Sequence, residues 1–238
     1  MEKIKQIVSS VVFLCVIGLC SCTNYNYIDG GLAKGDFDGT MWEYFHAQGY
    51  DWDSLMVMAE RGGMKEWFDG SRNEKITFFG VTNLAVMRFI KDHDYDVEQD
   101  GKKTGATDEE IAAAKWYGVN GIPADSCRAI LERLIIPGKE LMMDDVPKGK
   151  LENKQDDQGH LYFQKVGGDE YPCLKGIVFC WTYNLNYGTP PIPQGGEKTL
   201  WRRRSDGVNA GDRIASCNIH TTTGIVHALG YDFVFKNL

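Results

Sequence analysis

The sequence holds no apolar run long enough to cross a bilayer. Its most hydrophobic stretch, Ile7 to Leu19, falls short of the ~20 residues that a spanning helix requires. It has no excess of positive charge either: 26 Lys and Arg stand against 33 Asp and Glu, a net charge of −7. An acidic balance argues against nucleic acid or anionic lipid as partners drawn in by bulk electrostatics. No segment repeats. The motifs that announce common chemistries are missing: there is no G-x-S-x-G elbow, no phosphate-binding loop, no H-E-x-x-H and no dinucleotide fingerprint. Asp144 and Asp145 are adjacent, so their carboxyls diverge, whereas a glycosidase needs two facing each other across about 5–10 Å. Metal signals are incomplete. Cys217-x-x-His220 with Cys173 and Cys180 has zinc-like residue types, but Cys173 and Cys180 are spaced too widely. Asp96-x-Glu98-x-Asp100-Gly101 opens like a calcium loop, yet its twelfth position is Thr107 and not a bidentate glutamate. The expectation is a protein with no catalytic residues, no metal and no cofactor.

What is present begins with an export signal. Lys3 and Lys5 precede a short apolar core, which ends Leu19-Cys20-Ser21-Cys22. An aliphatic residue, two small residues and a cysteine read as a lipobox, with Cys22 the site of lipid attachment. Several acyl chains at ~0.8 kcal/mol per buried CH₂ suffice for stable anchoring. Residues 1–21 are then the signal peptide, residues 22–39 a polar tether, and residues 40–238 one domain with an inserted charged loop at about 92–110. From Cys22 onward 217 of the 238 residues remain. They are enough to bury a sizeable core without staples. The signal carries Lys3 and Lys5 against Glu2, so this remainder has a charge of −8. Of seven cysteines, Cys127, Cys173, Cys180 and Cys217 fall in the domain. Export permits disulfides and four cysteines allow three pairings. The spacing favours none, and free buried thiols fit equally well.

Helical patterns come first along the chain. Thr40 caps one through Phe45, and Asp51 or Asp53 caps another that ends at Gly62-Gly63. Lys75 to Val81 reads as a strand, after which Thr82-Asn83 caps a helix through Ile90. Thr107 to Glu110 is a capping box. Residues 124–136 form a helix stopped by Pro137-Gly138, and Leu141 to Met143 reads as a short strand. Strands follow at Leu161–Val166, Gly176–Tyr183, Thr199–Arg203, Arg213–Ile219 and Ile225–Leu229, with a proline-rich loop around Tyr187. Helices then strands mean an α+β class. Ile225 to Leu229 is apolar on both faces except at His227, so it is expected to be a strand covered on both sides. Gly224 before it supplies a tight bend or bulge.

Three segments carry a family resemblance. Thr77-Phe78-Phe79-Gly80-Val81-Thr82-Asn83 resembles the first motif of fasciclin (FAS1) domains, T-x-F-A-P-T-N, with Val81 in place of proline. Leu134-Ile135-Ile136-Pro137-Gly138-Lys139 resembles that family's helix-to-strand turn, with Arg133 and Leu134 where a Tyr-His pair is usual. Thr223-Gly224-Ile225-Val226-His227-Ala228-Leu229 resembles N-G-x-I-H-V-I. The resemblance runs from about Met41 to Phe235. It implies a β-sandwich or wedge flanked by helices packed mainly from the N-terminal half, with Thr77, Phe79, Thr82, Asn83, Pro137, Gly138, Gly224 and His227 in structural roles. It also implies adhesion or binding and not catalysis, though the missing Tyr-His pair removes the integrin-type activity of animal relatives. A lipobox joined to such a domain is similar to surface lipoproteins of Bacteroides-type bacteria. The expected partners are a glycan or an outer-membrane protein, with the membrane reached through the lipid anchor and no nucleic acid. The alternative is a carbohydrate-active enzyme or a structural subunit of a glycan-uptake complex.

His227 is expected to be a core histidine with one ring nitrogen bonded to backbone. The candidate binding surface is aromatic and basic: Trp181, Tyr183 and Tyr187 leading into the proline loop, with Trp201, Arg202 and Arg204 on a neighbouring strand. Strand alternation sets Trp201 and Arg203 on one face and Arg202 and Arg204 on the other. The same residues fit a basic edge strand that discourages aggregation, or plain core and loop packing.

Overall fold

The computed structural model describes residues 35–148, 150–155, 161–166, 169–185, 197–204, 211–230 and 233–235. Within these, residues 150–155, 161–166, 183–185, 197–199, 203–204 and 213 are described in backbone only. Cys22 and Tyr187 lie outside the described residues, as does the whole proline-rich loop. The signal, the tether up to residue 34 and the lipid site likewise lie outside the described residues.

Among the described residues there are five α-helices: α1 (Met41–Ala47), α2 (Asp53–Arg61), α3 (Asn83–Thr104), α4 (Asp108–Ala114) and α5 (Ala124–Glu132). Nine strands accompany them: β1 (Ile76–Gly80), β2 (Ile135–Pro137), β3 (Lys150–Gln155), β4 (Leu161–Val166), β5 (Asp169–Pro172), β6 (Ile177–Leu185), β7 (Glu197–Arg204), β8 (Asp212–Thr221) and β9 (Gly224–Leu229). Seven strands form one sheet in the order β2-β1-β9-β8-β7-β6-β5, and β3 and β4 form a separate antiparallel pair. The class is α+β, as helices followed by strands imply. All neighbours in the large sheet are antiparallel except β1 and β9, which run parallel from Ile76↔Gly224 to Gly80↔Ala228.

Local chemistry explains several starts and stops. The Thr40 hydroxyl accepts the Glu43 N–H at 3.2 Å and the Glu43 carboxylate accepts the Thr40 N–H at 2.7 Å, closing a capping box on α1. Thr107 and Glu110 repeat the device on α4 at 3.2 and 2.8 Å. In α2 neither Asp51 nor Asp53 is the cap. The Ser54 N–H is taken at 2.7 Å by Oδ1 of Asn83, from the first turn of α3. Asn83 also donates through Nδ2 to the Tyr50 carbonyl. Thr82 does occupy the cap position of α3 with an extended backbone, but its buried hydroxyl bonds to nothing among the described residues.

Three expectations are corrected. Residues 92–104 are not an inserted loop. They continue α3 to Thr104, where Gly105 in the left-handed conformation ends it. The apolar periodicity fades after Ile90. Beyond it the helix carries paired charges, Glu98–Lys102 at 2.6 Å and Asp100–Lys103 at 3.3 Å. Gly101 lets α4 pack closely, since a Cβ there would meet Cγ1 of Ile111 at 2.5 Å. Residues 133–136 are not the end of a helix: α5 stops at Glu132, and Ile135–Pro137 pairs with β1. Leu141 to Met143 is not a strand, because the backbone of Leu141 bonds to side chains (Thr77 and His227) and not to a ladder. The tether, for its part, is already ordered at residues 35–39. The Phe37 N–H reaches the His220 carbonyl at 2.8 Å and the His220 N–H the Gly35 carbonyl at 2.6 Å.

The hydrophobic core includes residues of α1, α2, α3 and α5 and the inward residues of the sheet. Phe45, Phe68 and Phe78 meet edge to face with centroids 4.8–5.9 Å apart, the arrangement that aromatic quadrupoles favour. β9 is buried at all six positions and has a strand on either side.

Candidate functional site

The three motif segments assemble at one place, in the adjacent strands β2, β1 and β9 and the turns that follow them. Thr77 is fully buried there. Its hydroxyl donates to the Lys139 carbonyl at 2.7 Å and accepts the Leu141 N–H at 2.8 Å. His227 faces Leu141 from β9, also fully buried. Its Nδ1 accepts the Asn218 N–H at 3.2 Å, so Nε2 carries the proton and donates to the Leu141 carbonyl at 2.8 Å. Burial pushes the imidazole down to about 4, against a smaller opposing pull from the Leu141 carbonyl, so the ring is neutral at physiological pH. Asn218 sits at φ 61° where the β8 ladder slips register. His227 thus satisfies one backbone N–H that the bulge frees. Phe79 stacks on the ring at 5.6 Å. Both ring nitrogens are occupied by backbone, which leaves this histidine no lone pair for a metal or a substrate proton.

Gly224 and the threonines before it complete the junction. Gly224 has φ 133°, and a Cβ there would lie 1.9 Å from the Ile76 carbonyl oxygen. Only glycine allows β9 to start this close to β1. The Thr223 hydroxyl accepts the Met41 N–H at 3.0 Å, and the Thr221 hydroxyl donates to the Gly224 carbonyl at 2.8 Å. Pro137 closes β2 and Gly138 turns the chain at φ 66°.

The aromatic and basic surface expected from sequence is not an open platform. β7 lies between β6 and β8, so it is an interior strand and not an edge. Arg202 is fully buried and Trp181 nearly so. The Arg202 guanidinium lies 5.4 Å from the ring centre of Phe79 and 5.7 Å from that of Phe233, with an Asp212 carboxylate oxygen 3.9 Å from Nη1. These two side chains are core structure. Trp201, which pairs with Trp181 across the ladder, is only half-buried. Tyr183 and Arg204 pair with Thr199 and Val178 in backbone register.

The acidic stretch is helix surface. Two lysines, Lys102 and Lys115, each lie 2.6 Å from the Glu98 carboxylate and hold it down at about 2. Glu98 raises Lys115 in return. Asp94 accepts the Trp116 N–H at 2.7 Å and the Tyr117 N–H at 3.0 Å. Burial tends to raise its carboxyl, but these two bonds and the His93 ring nitrogen at 3.1 Å together hold it below its ordinary range. Asp94 therefore fastens the segment after α4 back onto α3. Cys127, Cys173 and Cys180 are free thiols. Burial pushes Cys173 up to about 11 and raises Cys127 and Cys180 too, so all three stay protonated and poorly nucleophilic.

One cavity opens beside α3 that the sequence did not announce. It measures about 140 Å³ and is lined by Ala85, Arg88, Phe89, Asp92, His93 and Asp96 from the helix and by residues 233–235. The helical residues recur at i, i+3, i+4, i+7, i+8 and i+11, one face of a helix. That spacing, with Phe233-x-Phe235, is the signal from which the site is legible once α3 is known to continue. Phe89 stacks on Phe235 at 4.4 Å, and His93 on Trp116 at 3.5 Å.

The described residues thus define a mixed α+β protein with a buried polar junction and an aromatic cavity. No family model matches the chain, and no curated protein matches it either.

Proposed function

We propose that this chain is a fasciclin-like surface lipoprotein, held in the outer membrane by acyl chains on Cys22. It binds a glycan or a partner outer-membrane protein without catalysing a reaction. One observation carries the proposal: the three segments that resemble FAS1 motifs are roughly 170–300 Å from one to the next in an extended chain, yet they lie side by side as β1, β2 and β9. Unrelated fragments have no reason to converge, whereas parts of one family core do. The helices that share the sheet's hydrophobic core then correspond to the flanks of the FAS1 wedge. The lipobox supports the location.

Two experiments test this. Labelling of the expressed protein by a fatty-acid analogue, lost in Cys22→Ser, is expected for the anchor; undiminished labelling of the variant would refute it. A glycan array and a pull-down of outer-membrane proteins separate the two ligand classes, and silence in both removes the binding function.

A further inference from the structure

The large apolar side chains that face solvent are not scattered. Six are exposed among the described residues, and five of them, Tyr50, Leu84, Met87, Tyr95 and Tyr117, lie on α3 or against it. Leu84, Met87, Lys91 and Tyr95 form one stripe, each about a turn from the next. The stripe runs opposite the buried face of Ala85, Val86 and Ile90. Tyr50 stands at the Leu84 end, where its carbonyl accepts from the Asn83 side chain. Tyr117 stands at the Tyr95 end, where Asp94 takes its N–H at 3.0 Å. Tyr117 also holds φ 57°, a left-handed backbone that a bulky residue rarely adopts. Strain of this kind clusters where a side chain is positioned for use, and this ring is 70% exposed. A gathered apolar patch rimmed by charge marks an interaction surface.

Charge along α3 selects what covers this face. Residues 84–91 carry Arg88 and Lys91 and no acid, whereas residues 92–100 carry five carboxylates and no Lys or Arg. An anionic bilayer is repelled by the acidic half. A parallel second copy sets like charge on like charge. An antiparallel second copy sets the basic half of each helix on the acidic half of the other. The side chains then agree on a register. Leu84 meets the second copy's Tyr95, Met87 meets the stem of its Lys91, and Arg88 meets its Asp92. All three pairs are centred on the turn that holds residues 89 and 90. One two-fold axis there makes each contact twice, as an isologous interface requires. Arg88 and Asp92 are exposed and form no ion pair among the described residues, so both charges are available. The Tyr50 end of one copy reaches the Tyr117 end of the other. A covered tyrosine buries about 150–250 Å². Three tyrosines exposed by 63–75% therefore offer roughly 300–500 Å² per copy. Doubled by the axis and joined by Leu84 and Met87, this reaches the about 1,000 Å² that a specific interface needs, at its weak end.

We propose that the outer face of α3 is a two-fold interface, on which a second copy of this chain packs its own α3 antiparallel, with Leu84 on Tyr95 and Arg88 on Asp92. This interface goes beyond the binding function proposed above and holds whatever ligand the chain takes.

Sedimentation velocity of the full chain in density-matched detergent, from about 1 to about 200 µM, tests it. A reversible monomer–dimer equilibrium in the micromolar range is expected. Arg88→Asp and Asp92→Arg each set like charges across the axis, and each is expected to weaken the dimer about tenfold. The double variant exchanges the two charges and is expected to restore the dimer to within about threefold of the parent. Tyr95→Ser, at an exposed position, is expected to weaken it about tenfold as well. A thermal melt of each monomer by circular dichroism stays unchanged. A chain that remains monomeric throughout overturns the proposal. So does a dimer that ignores all of these variants, since another surface then forms it. Single variants that weaken the dimer without recovery in the double variant overturn the antiparallel register. A monomer that co-sediments with phosphatidylcholine vesicles, and loses them in Tyr95→Ser, gives the face to a bilayer and overturns the proposal too.

Discussion

The junction of β2, β1 and β9 and the outer half of α3 are built on opposite principles. At the junction polar side chains are buried and paired: Thr77 and His227 between them make four hydrogen bonds to backbone. On α3 beyond Ile90 the polar groups are ionic and lie near the surface, and their pairs form with neighbours on the helix or on the segment that follows it. A buried hydrogen bond is costly to break, because the partner left behind stays dry. An exposed ion pair is cheap to break, because water replaces it. The junction should thus govern stability, and the α3 surface should be free to change. That freedom is what a binding site requires. Arg202 links the two regions, since its guanidinium touches Phe79 of the junction and Phe233 of the cavity wall.

The contrast can be broken most severely at Gly224. Any Cβ there collides with the Ile76 backbone, so Gly224→Ala is expected to abolish folding, as is truncation before Gly224. A soluble truncation with a cooperative melt would show that β9 is peripheral. Next is Arg202→Ala. It opens a hollow between the Phe79 and Phe233 rings, for a loss of about 3 kcal/mol by urea titration. A loss under about 1 kcal/mol would mean that the guanidinium does not link the regions.

His227 comes third, and its effect depends on pH. Its pKa is about 4 when folded and ~6.5 when unfolded. The unfolded chain therefore binds the extra proton between those values, and stability is lost as pH falls through that window. Full stability is present above pH ~6.5, about 3 kcal/mol is lost by pH ~4, and the contribution is flat below. Urea titrations at intervals through the window measure it. His227→Gln should remove this slope; a variant that keeps it would assign the acid sensitivity to carboxylates. Thr77→Val follows, nearly isosteric but leaving the Lys139 carbonyl and Leu141 N–H without their partner, at about 2 kcal/mol. The smallest effect belongs to Glu98→Gln. Its carboxyl is depressed to about 2, so any contribution is present above the ordinary carboxylate range and lost as pH falls towards 2. The group is solvent-exposed and screened, so the melting temperature should match the parent at physiological salt. A clear drop would place the α3 surface among the determinants of the fold.

Legibility along the chain follows the range of the interaction. The capping boxes at Thr40 and Thr107 close over three residues, so the local sequence displays them in full. The double-sided burial of β9 shows in its composition, because Ile225, Val226, Ala228 and Leu229 have no polar face. The length of α3 did not show, because its outer half has little apolar periodicity. Its cavity was hidden for the same reason, and because half of the wall comes from residues 233–235. Arg202 misled most: a Trp-Arg-Arg-Arg run looks like surface, and only the neighbouring strands and the Phe233 ring decide that Arg202 is buried.

By itself the sequence determined the α+β order of elements, the helix caps at Thr40 and Thr107, the last strand as a covered strand, and the lipobox expectation at Cys22. These depend on residue type and short spacing, where each side chain acts on its own backbone. Tertiary structure alone decided that β1 pairs in parallel with β9, that Asn83 caps a different helix, that His227 serves a bulge, and that a ring-sized cavity opens beside α3. Each of these needs groups from nine to more than a hundred residues apart to meet. Local propensity carries no information about such meetings, and they are settled only when the sheet closes.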